Sequence, residues 1–248
     1  MEEISNSKLN CTPLFVARYP VGINYRVKVI LLDIDSNDVH MVGIYGPGGI
    51  GKTIIAKAIF NRISDRFEGS SYLENVREKS KTNNGVIELQ EILLFEILRD
   101  KNLKVGSKSK GIKVIKKRLS RKRILLVLDD VDKYVQIENV LGGCDWFASE
   151  SRIIITIRDK HLIATLGKGY SNYEVKELDK DEALELFCMH AVQRNKPKED
   201  YSELENQVIH YAKGLPLALV IMGADLCGRT KREWKNALYK YERIPNKL

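Results

Sequence analysis

Eight consecutive residues, Gly46-Pro47-Gly48-Gly49-Ile50-Gly51-Lys52-Thr53, constrain the fold of this chain more than any other segment. They fit the P-loop pattern Gly-x-x-x-x-Gly-Lys-Ser/Thr. A short apolar run, 42–45, comes before them, and residues 52–67 follow with isoleucines at helical spacing. A glycine-rich turn between a strand and a helix aims several backbone N–H groups at one phosphate, and the helix dipole adds positive charge. The motif therefore predicts a phosphate-binding loop; a flexible glycine turn is the alternative.

Each part of this motif has an expected role. Lys52 would neutralise the β- and γ-phosphates of a nucleotide, and the Thr53 hydroxyl would bind Mg²⁺. The other residues would surround the phosphates with backbone, and they are Gly46, Gly48, Gly49, Ile50, Gly51 and Ile54. The motif therefore implies a nucleotide with Mg²⁺ as the ligand.

Two adjacent carboxylates, Asp129 and Asp130, follow the apolar run 124–128. A carboxylate at the tip of a buried strand is costly unless something pairs with it, and a Mg²⁺–phosphate complex would do so. We assign Asp129 to the metal, through a water molecule. We assign Asp130 to catalysis beside Lys52, with Asp130 polarising an attacking water. The alternative is an ordinary turn after a strand.

A further candidate, Arg158, follows the isoleucine-rich run 152–157. The C-terminal ends of strands face the ligand crevice in open α/β sheets, so Arg158 could sense the γ-phosphate. An exposed arginine at the start of a loop is the alternative.

Strand-like and helix-like segments alternate along much of the chain. The apolar runs 124–128 and 152–157 are typical of strands covered on both faces. This alternation predicts an α/β fold of the P-loop NTPase type, with a mainly parallel sheet flanked by helices. After about residue 175 the pattern becomes helical. We expect a linker over 1–20, a nucleotide-binding domain over 21–170 and a small all-helical subdomain over 171–248.

The net charge of +8 comes from one segment, 101–123, which holds eleven basic residues and no acidic residue. The remaining 30 basic and 33 acidic residues leave a net charge of −3. Ile112, Ile115 and Leu119 lie on one face of a predicted helix here. One interpretation is contact with a phosphate backbone or anionic lipid. The other, which we favour because no aromatic residue is present to stack on bases, is a solvated helix packed on a sheet.

Several classes of protein do not fit the sequence. No apolar run approaches the roughly 20 residues of a membrane-spanning helix, and residues 1–10 lack the apolar centre of a secretory signal. The four cysteines and four histidines are scattered, without the spacing of a disulfide framework or a zinc site. We expect a reduced, intracellular protein.

A series of motifs covers almost the whole chain from Pro20. They are Tyr19-Pro20-Val21-Gly22-Ile23, the P-loop, Phe67-Glu68-Gly69 with Leu73-Glu74-Asn75-Val76-Arg77-Glu78, Leu125-Leu126-Val127-Leu128-Asp129-Asp130-Val131-Asp132, Ser151-Arg152-Ile153-Ile154-Ile155-Thr156 with Arg158-Asp159, and Gly214-Leu215-Pro216-Leu217-Ala218-Leu219. Taken in order, these motifs resemble the NB-ARC module of plant intracellular immune receptors, a STAND-class P-loop ATPase, and in particular its TIR-containing subclass.

The resemblance implies roles that the residues alone do not supply. Val21, Gly22 and Ile23 would line the adenine site through their backbone, and Pro216 would pack against the base. Arg158 would be the first phosphate sensor. The ligands would be ADP or ATP with Mg²⁺. The helical subdomain would correspond to the part of the family called ARC1. For Pro216, a proline that starts a helix is an alternative that is compatible with the first role.

This chain departs from the family pattern at two positions. The family usually has Thr where this chain has Ile54 and Ile157. Backbone contacts to phosphate survive the first change, whereas polar contacts near the phosphates would be weaker. The resemblance also places a TIR domain before this segment and a winged-helix subdomain and leucine-rich repeats after it, so we expect a truncated module.

The sequence therefore predicts an ATP/ADP-binding switch module of a cytoplasmic or nucleocytoplasmic plant disease-resistance protein, with at most slow ATP hydrolysis that resets the switch. Nucleotide identity would set the orientation of the helical subdomain, and oligomerisation would accompany activation. Two alternatives remain at this point: an ATPase stimulated by nucleic acid, which the lack of aromatic residues in 101–123 disfavours, and a nucleotide-independent adaptor or decoy.

Overall fold

The computed structural model describes residues 12–35, 40–100, 102–144, 146–165, 169–192 and 201–243. These residues form two compact units. Unit 1 consists of the described residues in three segments: those up to Val16, those in Asn24–Pro47 and those in Lys52–Glu174. Unit 2 consists of Ala17–Ile23, Gly48–Gly51 and the described residues from Val175 onward. The domain boundaries drawn from the sequence stay predictions.

Unit 1 is built on a five-stranded parallel sheet in the order β2-β3-β4-β1-β5. The predicted parallel α/β architecture is therefore confirmed. The strands are β1 Met41–Tyr45, β2 Gly69–Leu73, β3 Ile124–Val131, β4 Arg152–Ile157 and β5 Tyr170–Glu174. The helices are α1 Ile23–Ile34, α2 Lys52–Ile63, α3 Val76–Lys79, α4 Asn83–Leu98, α5 Lys108–Leu119 and α6 Tyr134–Leu141, with 3₁₀ turns at Ser64–Arg66 and Lys160–Thr165.

The interior strands β3 and β4 are buried along almost their whole length, as their unbroken apolar runs indicate. Their side chains pack with α4, α5 and α6 in one continuous core. The sequence does not predict helix α1, helix α6 or strand β5. In β5 exposed positions alternate with half-buried ones, and none of its five residues is buried, as expected at a sheet edge.

Strand β3 differs from its prediction at the paired aspartates. The sequence places Asp129 and Asp130 after the strand, whereas β3 continues through both to Val131. The register with β4 shifts between Leu128 and Val131, and Asp130 adopts a left-handed backbone with φ of 59°. An irregularity of this kind re-aims side chains at the end of a strand. It therefore gives the two adjacent carboxylates different surroundings.

Unit 2 consists mainly of four helices, α7 Lys180–Ala191, α8 Ser202–Ala212, α9 Pro216–Leu226 and α10 Lys231–Arg243. Asp179 caps α7 by accepting hydrogen bonds from the N–H groups of Asp181 and Glu182, as its spacing from Glu182 predicts. Gly214 has a left-handed φ of 70° between α8 and α9, and Pro216 occupies the first turn of α9. The indole N–H of the buried Trp234 donates to the Leu226 carbonyl at 2.9 Å.

Among the helices described, none has the length and apolar character to cross a membrane.

We expect Trp234→Ala to lower the free energy of unfolding of unit 2 by about 3–5 kcal/mol, because it empties a fully buried site. The ring is 1% exposed and contacts Phe187 and Tyr201 edge-on. Urea unfolding followed by circular dichroism measures the loss. Tyr239→Ala on the same helix is the control, since Tyr239 is exposed. Equal losses for both variants would contradict this packing.

Candidate nucleotide-binding site

The P-loop has the backbone that its glycines allow. Between the end of β1 and the start of α2, Gly46, Gly49 and Gly51 have positive φ values of 148°, 78° and 100°. Side-chain-bearing residues rarely adopt such angles. A Cβ added at Gly51 would meet no atom of the described residues within 4 Å. The loop is therefore curved, and none of the described residues fills the space beside Gly51, as a phosphate cradle requires.

Lys52 is held beneath this loop. Its ammonium group donates hydrogen bonds to the carbonyls of Gly46 and Pro47, both at 2.8 Å. The residue is buried, and burial lowers the pKa of Lys52, with the charge of Arg158 acting in the same direction. Asp130 and Asp129 oppose that shift and favour the charged form. Two of the three ammonium donors are thus fixed by the loop, and the cation is positioned at the start of α2.

Asp129 connects α2, β3 and β4 through two hydroxyl groups. The Thr53 hydroxyl lies 2.9 and 3.1 Å from its two carboxylate oxygens, and the Thr156 hydroxyl donates to one of them at 2.6 Å. Burial raises the pKa of Asp129, while both hydrogen bonds lower it. An ionised carboxylate in this position gains from a nearby cation, because few protein groups neutralise it.

The oxygen atoms of Thr53 and Asp129 suit Mg²⁺ only when a phosphate supplies further ligands. Thr53 and Asp129 supply one hydroxyl and one carboxylate. Within the described ranges, no group of three or more His, Cys, Asp or Glu side chains could hold a metal. Mg²⁺ commonly uses one or two protein oxygens with phosphates and water completing its shell. The residues present therefore fit a nucleotide-bound Mg²⁺ rather than a metal held by the protein alone.

Asp130 faces two guanidinium groups. Arg77 Nη2 lies 3.1 Å from one carboxylate oxygen, and Arg158 Nε lies 3.7 Å from the other. The backbone N–H of Asp130 donates to Thr156 Oγ1 at 2.8 Å. Arg158 is half exposed at the end of β4. The predicted roles of Asp130 and Arg158 stay predictions, and the geometry adds that their side chains are paired with each other.

The remaining candidates belong to unit 2, except Ile54, which belongs to unit 1. Val21 and Gly22 form a turn that leads into α1, which begins at Ile23. Pro216 begins α9, and the N–H of Leu217 donates to the Gly49 carbonyl at 3.2 Å. The roles of Val21, Gly22, Ile23 and Pro216 at the adenine stay predictions. In the P-loop, Ile50 is buried and Ile54 is half buried.

Two residues of this site, Thr156 and Arg77, have no role that could be predicted from the sequence. Thr156 stands out in the sequence only as the one hydroxyl of an isoleucine-rich strand. Arg77 lies 53 positions from Asp130, so nothing in its local sequence indicates the pairing. Tyr72 is a third neighbour, and its hydroxyl lies 3.4 Å from the Thr53 carbonyl.

This chain is similar to proteins of a known family. A family model described as NB-ARC domain matches residues 24–197. Disease resistance protein RUN1 of Vitis rotundifolia is 44% identical over 99% of this chain and 19% of its own length. TMV resistance protein N of Nicotiana glutinosa is 40% identical over 96% of this chain and 21% of its own. This chain thus spans about a fifth of the curated relatives it matches.

The crystal structure of Cdc6p from Pyrobaculum aerophilum matches with a TM-score of 0.52 at 14% identity, over 91% of this chain and 65% of that chain. At this identity the likeness concerns the fold alone.

We expect Thr156→Val to lower the free energy of unfolding by about 1–3 kcal/mol, because it removes a hydroxyl without changing the size of the side chain. The carboxylate of Asp129 loses its shortest hydrogen bond, and the N–H of Asp130 loses its acceptor. Urea unfolding measures the effect. Thr156→Ser keeps the hydroxyl and should recover most of the loss. A valine variant as stable as the wild type would show that these bonds contribute nothing.

Proposed function

This chain belongs to the NB-ARC family, and from that premise we propose that it binds ATP or ADP as the nucleotide switch of a plant disease-resistance receptor. Its P-loop would hold the phosphates. The resemblance assigns the adenine to Val21, Gly22, Ile23 and Pro216. The whole receptor, of which the relatives' length suggests this is a part, would add TIR, winged-helix and leucine-rich-repeat domains.

The observation that carries this proposal is the combination of a positive-φ glycine loop with a buried ammonium group at its base. Lys52 is fixed by the carbonyls of Gly46 and Pro47, so its charge needs little reorganisation to meet a phosphate. The backbone N–H groups at the start of α2 add the partial positive charge of a helix N-terminus. An anion placed at this loop would therefore be met by preorganised donors.

Thr53 and Asp129 are the residues that would hold Mg²⁺. The Thr156 hydroxyl donates to one oxygen of the buried Asp129 carboxylate and helps to hold it in place. The metal, when bound, would supply positive charge that neutralises the phosphates. Asp129, Thr53 and Thr156 together would orient that charge.

Slow turnover is part of the proposal. Asp130 is the candidate for polarising water, yet one of its carboxylate oxygens is 3.1 Å from Arg77 and the other faces Arg158. Oxygens engaged by guanidinium groups accept a proton from water less readily. This arrangement favours a switch, which needs two states of different nucleotide affinity rather than rapid hydrolysis.

The two alternatives are less well supported. The relatives are disease-resistance proteins, which favours neither a nucleic-acid-stimulated ATPase nor an adaptor independent of nucleotide. A location in the cytoplasm or in both cytoplasm and nucleus, and oligomerisation on activation, go with the receptor proposal.

Lys52→Ala should weaken ADP binding about tenfold to a hundredfold, since it removes charge-assisted contacts to phosphate. Isothermal titration calorimetry with ADP and Mg²⁺ measures the change. Lys28→Ala is the matched control, because Lys28 is an exposed lysine of α1 and should leave the affinity unchanged. A Lys52→Ala protein that binds ADP as tightly as the wild type would contradict the assignment.

The purified protein should carry an adenine nucleotide. Mass spectrometry of the supernatant after denaturation identifies what has co-purified, and we expect ADP in amounts close to equimolar with the protein. Lys52→Ala should release little or none. Wild-type protein that is free of nucleotide, and that binds none when ADP is added, would favour the nucleotide-independent adaptor.

A further inference from the structure

Helix α5 presents a cluster of cations that the nucleotide site does not use. We call Lys110, Lys113, Lys116, Lys117 and Arg118 the α5 basic face. All five are exposed, and together they cover most of the solvent side of the helix. At a rise of 1.5 Å per residue they extend over about 12 Å along its axis. Just after the helix, Arg121 is exposed as well.

The opposite side of α5 is packed against the protein, so the α5 basic face points toward solvent. Gly111, Ile115 and Leu119 are buried, and the helix packs against α4 and α6. A Cβ added at Gly111 would lie 1.9 Å from Gln90 Oε1, so the backbone of α5 approaches α4 closely. The helix therefore has no room to rotate its lysines toward the protein. The apolar stripe predicted from the sequence is used for packing, and the cations remain in solvent.

Acidic neighbours do not neutralise the α5 basic face. On α4, Glu91 pairs with Lys104 and Glu88 pairs with Lys79, both outside the face. Glu138 on α6 is exposed, and within the described ranges no carboxylate forms an ion pair with any of the five cations. Five like charges on one helix repel one another, which costs stability unless a ligand offsets it. The charge pattern fits a polyanion.

We propose that the α5 basic face docks this protein onto an anionic membrane surface. Four of the five cations are lysines, whose long stems let each charge reach a lipid headgroup independently. The face contains no aromatic residue to stack on bases and no Asn or Gln to read base edges, which disfavours nucleic acid. Because the apolar stripe is already buried, binding is electrostatic and peripheral, without insertion of the helix.

Two properties follow from this mode of binding. It requires anionic lipid, because neutral headgroups offer the lysines no net charge. It weakens steeply with salt, because exposed charges are screened within about 10 Å at 0.1 M ionic strength. Each lysine close to an anionic leaflet strengthens binding about fivefold. This docking does not depend on the P-loop, so it is separable from nucleotide binding.

The test is co-sedimentation of the full chain with phosphatidylcholine vesicles and with vesicles in which about a third of the lipid is phosphatidylserine. We expect binding only to the second, and loss of binding at high salt. The triple variant Lys110→Gln, Lys113→Gln, Lys117→Gln should bind about a hundredfold more weakly. The control, Lys231→Gln, Lys235→Gln, Lys240→Gln on α10, lowers the net charge equally and should bind within about threefold of wild type.

A third variant separates charge from folding. Replacing Lys110, Lys113 and Lys117 by arginine keeps the charge and should retain vesicle binding, and all variants should bind ADP as the wild type does. The proposal is overturned if wild-type protein does not sediment with phosphatidylserine vesicles at low salt. It is also overturned if both glutamine variants lose binding equally, or if the face binds duplex DNA or RNA and not vesicles.

Discussion

The site in unit 1 depends on the burial of one carboxylate, that of Asp129. A charge among apolar strands is tolerated only when hydrogen-bond donors satisfy it, and here two hydroxyls do so. They come from Thr53 on α2 and Thr156 on β4, which are distant in sequence. A single carboxylate therefore fixes the start of α2 relative to the ends of two strands. The desolvation that makes this arrangement costly for folding also strengthens its attraction for a cation.

Asp130, the next residue, shows how a local irregularity in β3 places two adjacent aspartates in different surroundings. Asp130 adopts a left-handed backbone, which Asp tolerates better than most residues, and Thr156 accepts its N–H. In a regular ladder this N–H would bond to a neighbouring strand. The irregularity lets Asp129 bond to the hydroxyls of Thr53 and the buried Thr156, while Asp130 pairs with Arg77 and Arg158. Adjacent positions thus have different electrostatic roles.

The parts of the structure that could be predicted are those with local signals. The apolar runs at 124–128 and 152–157 indicate buried parallel strands, and the glycine pattern predicts the P-loop with its flanking strand and helix. The extension of β3 through Asp130 could not be predicted, because it depends on a hydroxyl supplied by β4. The role of Arg77 could not be predicted for the same reason, because only the folded sheet brings its partner to it. Helix α1 is hard to predict because it follows a proline-containing segment that resembles a linker.

Gly49 performs two tasks within unit 2. Its positive φ shapes the P-loop, and its carbonyl accepts the N–H of Leu217. Leu217 Cβ lies only 2.8 Å from the position that a Cβ on Gly49 would take, so a side chain there would clash. A backbone hydrogen bond and a close side-chain contact therefore join Gly49 to the first turn of α9. Any rotation of the peptide plane at Gly49 would therefore change the hydrogen bond that holds the first turn of α9, although Gly49 has no side chain of its own.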